Sequence, residues 1–215
     1  MRLKRILMSI LGVTICGISV GMFKHAALGV DPFQSLMSGL DAVIPVRFGT
    51  LYVIANLILL LFALVFDRHK IGLATIINLS LLGYIAEFSQ NCFRAMFPEI
   101  GIAGRLILLL IAIVIMCLAS AFYFTADLGV STYDAVSLIW SEKQGRIRFK
   151  YCRIICDFIC VLIGSVLCKA GNVNLFGVVG VGTVITAFFM GPLIEFFNVK
   201  AARPFLYGKT GEDKP

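Results

Sequence analysis

The chain has 215 residues, 60% hydrophobic and 14% charged, with a mean hydropathy of +0.96. That composition excludes an ordinary soluble domain and points to a protein solvated by a lipid bilayer. The net charge of +7 calls for no nucleic acid, since a cytoplasmic excess of Lys and Arg beside anionic lipid accounts for it.

Six windows are long and apolar enough to cross a bilayer: roughly 6–26, 48–66, 71–93, 105–126, 150–168 and 174–197. The opening Met1-Arg2-Leu3-Lys4-Arg5 resembles the start of a signal peptide. No small-residue cleavage site follows its apolar run, so the first window reads as a retained helix. After it comes Leu28-Gly29-Val30-Asp31-Pro32-Phe33-Gln34-Ser35, a helix stop followed by a helix start. Gly29 suits a left-handed C-terminal residue, Asp31 is an N-cap, Pro32 fits the first helical position and Gln34 completes a capping box. A short helix over 32–44 follows, with Phe33, Leu36, Met37, Leu40, Val43 and Ile44 on one side. At about 1.5 Å per residue it spans only about 18–20 Å, short of a core of about 30 Å. The second and third windows are joined by the polar turn Asp67-Arg68-His69-Lys70.

The same order then returns. Leu128-Gly129-Val130-Ser131-Thr132-Tyr133-Asp134 repeats the break one hundred residues later, with Ser131 as cap and Asp134 at the box position. Its short helix, 132–140, places Tyr133, Val136, Ile139 and Trp140 on one side. Residues 75–88 match 183–196, sharing Thr, Ile, Gly, Glu and Phe at equal positions. The expected fold is therefore an all-α membrane protein of six transmembrane helices. They form two three-helix repeats, 1–100 and 101–200, each with a short amphipathic helix after its first span. A disordered cytoplasmic tail follows over 201–215. Three crossings per repeat force the second repeat to enter from the opposite side, giving an inverted pair.

Charge tests this independently. The loop after the first short helix carries Arg47 alone, whereas its counterpart carries Lys143, Arg146, Arg148, Lys150 and Arg153. The turn Asp67–Lys70 is charged, while Cys168-Lys169-Ala170-Gly171-Asn172 is nearly neutral. Equivalent loops with opposite charge habits fit opposite sides of a membrane, with both termini cytoplasmic. Two readings fit the short helices: flat at each surface, or re-entrant with positive amino ends facing a cavity and attracting an anionic group.

Gly-Val-Asp-Pro-Phe after the first span, Gly-Val-Ser-Thr-Tyr-Asp-Ala after the fourth, and the two Thr…Gly…Glu-Phe spans resemble the YczE/YyaS/YitT group of bacterial integral membrane proteins. The resemblance covers about residues 5 to 200. It implies a bacterial inner-membrane protein and carries no catalytic residue.

Ionisable and polar groups inside spans are functional candidates. Glu87 and Glu195 are equivalent, four residues after Gly83 and Gly191; Asn56 and Asp157 are approximately so; Thr75 and Thr183 form a third pair, with Asn78 one turn beyond Thr75. Lys24, His25 and Asp127 are nearby partners. The substrate or ion pathway is therefore expected among Asp31, Gln34, Asn56, Thr75, Glu87, Ser131, Asp134, Asp157, Thr183 and Glu195, with helix breaks at Gly29, Pro32 and Gly129. More ordinary roles exist for each: Glu87 and Glu195 reaching headgroups or capping a neighbour, Thr bonding to its own helix. Gly17 and Gly21, with Cys117 and Ala121 as counterparts, form a close-packing face. Cys152, Cys156 and Cys160 line one helix face but lack further ligands nearby, so they read as packing residues, with no metal and no cofactor expected.

No nucleophile–base set or phosphate loop appears, so no enzyme is expected. The leading expectation is a small secondary transporter or exporter of an unidentified small-molecule solute, coupled to protons through Glu87, Glu195 or Asp157. The alternatives are a substrate-binding subunit of a multi-component importer and a non-transporting membrane partner. The expected partners are the lipid bilayer, the solute and, because six spans wall a cavity thinly, a homodimer mate.

Overall fold

A computed structural model describes residues 2–68, 71–145 and 149–207, and all regular structure among them is helical. The helices are α1 (Arg2–Ala26), α2 (Pro32–Val43), α3 (Phe48–Phe66), α4 (Leu73–Met96), α5 (Ile102–Thr125), α6 (Thr132–Gln144), α7 (Phe149–Ala170), α8 (Leu175–Val178), α9 (Val181–Phe197) and α10 (Arg203–Tyr207). A π-helical turn, Asn198–Ala202, joins the last two. Arg146 and Arg148, with His69 and Lys70, lie outside the described residues, as does the stretch 208–215.

α1 and α5, the first spans of the two repeats, pack side by side at the centre. Met8 clusters with Ala126, Cys16 Sγ lies 3.7 Å from Ser120 Oγ, and Ser19 Oγ donates to the Ala112 carbonyl at 2.7 Å. Numbers rise along α1 as they fall along α5, so the pair is antiparallel. The contacts are also reciprocal. Gly12 sits where a Cβ would come 2.9 Å from the Ala119 carbonyl, and Gly12/Ala119 mirrors Ala112/Ser19 at the repeat spacing.

α1 and α5 each then receive a later long helix of their own half of the chain, in parallel. α4 lies on α1, where a Cβ on Gly17 would stand 2.6 Å from Ile85 and Ser89 Oγ donates to the Ile18 carbonyl at 3.0 Å. α9 lies on α5, with Cys117 Sγ 3.9 Å from the Met190 carbonyl. Small residues at 12, 17 and 21 permit this approach, because backbone-to-backbone packing is what holds helices together in lipid. Gly191, on α9, makes no such approach: a Cβ there would meet nothing within 4 Å.

The short helices cross between repeats. α2 packs on α7, with Gly39 against Gly164, and α6 packs on α3, where Thr132 Oγ1 donates to Asn56 Oδ1. Neither repeat is a separate body; each borrows the other's second span.

Five stretches are long and apolar enough to cross a membrane among the described residues: Arg2–Ala26, Phe48–Phe66, Ile102–Thr125, Tyr151–Ala170 and Leu175–Tyr207. α4 has 24 residues but dilutes its apolar character with Asn78, Ser80, Glu87, Ser89, Gln90 and Asn91. The window expected over 174–197 is interrupted at Val179–Gly180, because that backbone pairs with another segment. The chain also stays helical past Ala201, through Tyr207. Its last turn is tied down where Lys4 donates to the Phe205 carbonyl, Arg5 reaches Tyr207 Oη at 3.2 Å, and Leu206 is buried beside Met8. The outward faces carry Ile58, Leu61 and Val65 on α3 and Phe158, Leu162 and Val166 on α7, all exposed. Apolar belts of that extent belong against acyl chains, and the protein is an integral membrane protein.

The two breaks have matching backbones. Ala27 and Asp127 both have φ 51°, and Gly29 and Gly129 both have φ 105°. At Gly29 an added Cβ would also stand 2.7 Å from the Gly180 amide. Gly129→Ala should therefore cost about 1–3 kcal/mol of backbone strain, read as a lower thermal unfolding midpoint in detergent. Gly191→Ala, mid-helix with open space around it, should leave that midpoint unchanged or raise it.

Candidate functional site

The site begins with two capped helix ends. Asp31 is extended, and its carboxylate accepts the Gln34 N–H at 3.2 Å, with Pro32 in the first turn. In the second copy Ser131 Oγ accepts the Asp134 N–H at 3.0 Å and donates to Asp134 Oδ2 at 2.6 Å. The reciprocal half of the first capping box is not made. Gln34 is 3% exposed, the residue lines a cavity between the two halves, and its Oε1 has no partner among the described residues.

Non-helical backbone at membrane depth must find its hydrogen bonds within the protein. Val30 N–H donates to the Val178 carbonyl at 2.9 Å, Gly29 N–H to Gly177 at 3.3 Å, and Gly182 N–H to Leu28 at 2.9 Å. At the other break Ala74 N–H donates to the Leu128 carbonyl at 2.9 Å. Thr75 Oγ1 accepts the Gly72 N–H at 3.2 Å and donates to the Val130 carbonyl at 2.6 Å. Thr183 Oγ1 accepts the Gly180 N–H at 3.2 Å and donates to the Val178 carbonyl at 3.1 Å. Each break is thus sealed by the start of the other repeat's last span. Thr75, expected on a pathway, fastens its seal through Val130, whereas Thr183 bonds only within its own segment, holding the turn that carries the other seal.

Sealing the breaks aims both short helices inward. Phe33, Gln34, Ser35 and Met37 are buried on α2, as are Thr132, Tyr133, Asp134 and Ser137 on α6. Val43 and Ile44, at the far end of α2, are exposed. Neither helix lies flat on a surface. Their first turns meet at the centre, where Phe33 and Tyr133 stack with centroids 4.9 Å apart. Around that contact lies a cavity of about 90 Å³, lined from both repeats by Asp31, Gln34, Asn56, Ser131, Asp134 and Arg153, among others. That volume suits a small ion or a few waters, well below the several hundred Å³ of a drug-sized pocket.

Arg153 is the residue that charge counting misplaces. It was grouped with loop cations, yet its guanidinium pairs with Asp134, reaches Asp157 Oδ1 at 3.2 Å, and covers the Tyr133 ring at 4.4 Å. Tyr133 Oη also donates to Asp157 at 2.6 Å. The sequence signal was the four-residue spacing Arg153–Asp157 at the start of an apolar span. In the first repeat the same places hold Tyr52 and Asn56, with Asn56 Nδ2 donating to the Tyr52 carbonyl at 2.8 Å. The duplicated scaffold is chemically asymmetric: the Arg153–Asp157 ion pair stands where the first repeat has the neutral Tyr52 and Asn56.

The matched glutamates do not join the site. Glu87 takes the Gly49 N–H at 3.3 Å and faces Arg47 at 3.4 Å, capping the amino end of α3. Glu195 is exposed on α9. Lys24 stands over the Phe48 ring, His25 stacks near Phe93, and Asp127 faces Arg5 at 3.5 Å, all away from the cavity. Among the described residues no group of three His, Cys, Asp or Glu is placed to hold a metal ion.

Breaking a buried ion cluster from one side strands its partners. Arg153→Gln leaves two largely buried carboxylates uncompensated and should cost about 3 kcal/mol, since the arginine keeps some solvent contact. Adding Asp134→Asn and Asp157→Asn to that variant should recover most of the lost thermal midpoint.

Comparison with other proteins agrees with the membrane architecture. Over 94% of its length the chain is 25% identical to an uncharacterized protein of Haemophilus influenzae, covering 88% of that protein. It is 24% identical to the uncharacterized protein YyaS of Bacillus subtilis, over 91% of this chain and 93% of that one. It is 22% identical to the uncharacterized membrane protein YczE of the same organism, over 86% and 81%. No solved structure gives a significant match. Residues 3–199 match DUF6198, described as a family of unknown function, and the chain belongs to that family.

Proposed function

We propose that this protein is a small secondary transporter or exporter of the bacterial inner membrane, built from six spans as an inverted pair of three-helix repeats. α4 is the sixth span: its 24 residues reach about 36 Å and run parallel to α1 along their length. The antiparallel packing of α1 on α5, with contacts reciprocal at the repeat spacing, supports the inversion. The observation that carries the transport reading is the cavity at the junction of the two repeats, bounded by the two broken helices and lined by charged residues. Interior charges are expensive in lipid and are retained where a solute or ion passes. Discontinuous helices whose ends meet at such a junction are the arrangement from which alternating access is built. Any proton coupling belongs to the Asp134–Arg153–Asp157 cluster, because Glu87 and Glu195 stand outside it. No catalytic role is assigned to it.

Two measurements test this. On a background lacking the native cysteines, Arg47→Cys should react with an impermeant maleimide from outside intact cells. Lys143→Cys should react only after permeabilisation. Labelling of both from one side overturns the inversion. Purified protein in liposomes should exchange at least one member of a panel of labelled amines, amino acids and carboxylates without ATP, and Arg153→Gln should abolish that exchange. Exchange that requires an added ATPase module would make the protein an importer subunit, and no flux for any member would leave a non-transporting partner.

A further inference from the structure

Most of the cavity's polar groups are paired with one another, but two buried oxygens are left over. Arg153 is committed to Asp134 and Asp157, Ser131 Oγ to Asp134, Tyr133 Oη to Asp157, Thr132 Oγ1 to Asn56, and Asn56 Nδ2 to the Tyr52 carbonyl. Gln34 Oε1, an acceptor, and the Tyr123 hydroxyl, which can accept or donate, are buried without partners among the described residues, and both residues line the cavity. Asp31 also lines it, held by backbone N–H, and among the described residues it has no ion pair.

Charge points the same way. Asp134 and Asp157 share one guanidinium and Asp31 adds a third carboxylate at the cavity wall, which leaves two negative charges when all are ionised. The two helix amino ends do not offset this for an incoming anion, because Asp31 and the Ser131–Asp134 pair already cap them. Beside Asp31 the wall is aromatic: Phe33 meets Tyr52 edge-on at 5.8 Å and stacks on Tyr133. Aromatic faces attract cations and do nothing for a carboxylate.

We infer that the cavity binds a compact monovalent organic cation, a primary ammonium head, between Asp31, Gln34, Tyr123 and the Phe33–Tyr52 rings. An ammonium brings three donors, which match the Asp31 carboxylate, Gln34 Oε1 and the Tyr123 oxygen. It also supplies the positive charge that Arg153, already shared by two aspartates, cannot. This reverses the anion preference that two inward helix amino ends suggest by themselves. It deepens the transport reading by naming its substrate class, and its test is separate from transport.

The experiment is binding to the full-length protein in detergent, by thermal unfolding and calorimetry. Methylammonium chloride is compared with sodium chloride and sodium acetate at matched ionic strength. Methylammonium should raise the unfolding midpoint and acetate should not. Asp31→Asn should weaken methylammonium about ten- to hundredfold, the worth of a charged hydrogen bond. Tyr123→Phe, which removes an unpartnered hydroxyl at little structural cost, should weaken it severalfold and supplies the answer if Asp31→Asn fails to fold. Stabilisation by acetate alone, no response to methylammonium, or equal binding by Tyr123→Phe and Asp31→Asn overturns the inference. Cation binding without flux in liposomes upholds the site and removes the transport reading; flux without cation binding does the reverse.

Discussion

Everything in this molecule depends on how four short stretches of non-helical backbone satisfy their hydrogen bonds. In lipid an unpaired N–H or C=O costs several kcal/mol, so a helix can be broken only where another segment takes up the freed groups. Here residues 28–30 are taken up by 177–182, and 128–130 by 72–75. Those pairings settle which helix can lie beside which. They require φ 105° at Gly29 and Gly129, and they turn the first turns of α2 and α6 toward one point.

From that constraint the interior follows. Two inward helix starts bring Asp31, Gln34, Ser131 and Asp134 to a common centre, together with the stacked Phe33 and Tyr133. The crossing of α2 onto α7 then brings the first turns of α7 alongside. Arg153 enters between Asp134 and Asp157, and burial makes that pairing obligatory. A polar centre surrounded by apolar outer faces is the inverse of a soluble domain, and it fits a bilayer.

Matching contacts in the two halves frame a site whose chemistry does not match. Reciprocal contacts such as Gly12 with Ala119 and Ser19 with Ala112 keep the two repeats in register. Divergence is concentrated at the cavity, where Phe33 faces Tyr133, Asp31 is opposite Ser131, and Tyr52 with Asn56 stands where the second repeat has Arg153 with Asp157. Symmetric packing with asymmetric lining gives one site rather than two half-sites.

Local features were legible in the residues alone, because they depend on neighbours a few positions away. The long helices, the stop at Gly29 and Gly129, the caps at Asp31 and Ser131 and the short helices after them are properties of periodicity, glycine and capping geometry. Membership of the YczE and YyaS relatives was legible for the same reason, since it lies in motif order. What the tertiary structure decided is every relation across the chain. Thr75 became a fastener between repeats, Glu87 an end cap and Arg153 an interior charge, while Glu195 was left outside. Those outcomes turn on contacts such as Thr75 with Val130 and Thr132 with Asn56, between residues 55 and 76 positions apart. No local pattern encodes them, because a hydrogen bond across repeats depends on how helices pack and not on what precedes or follows in sequence.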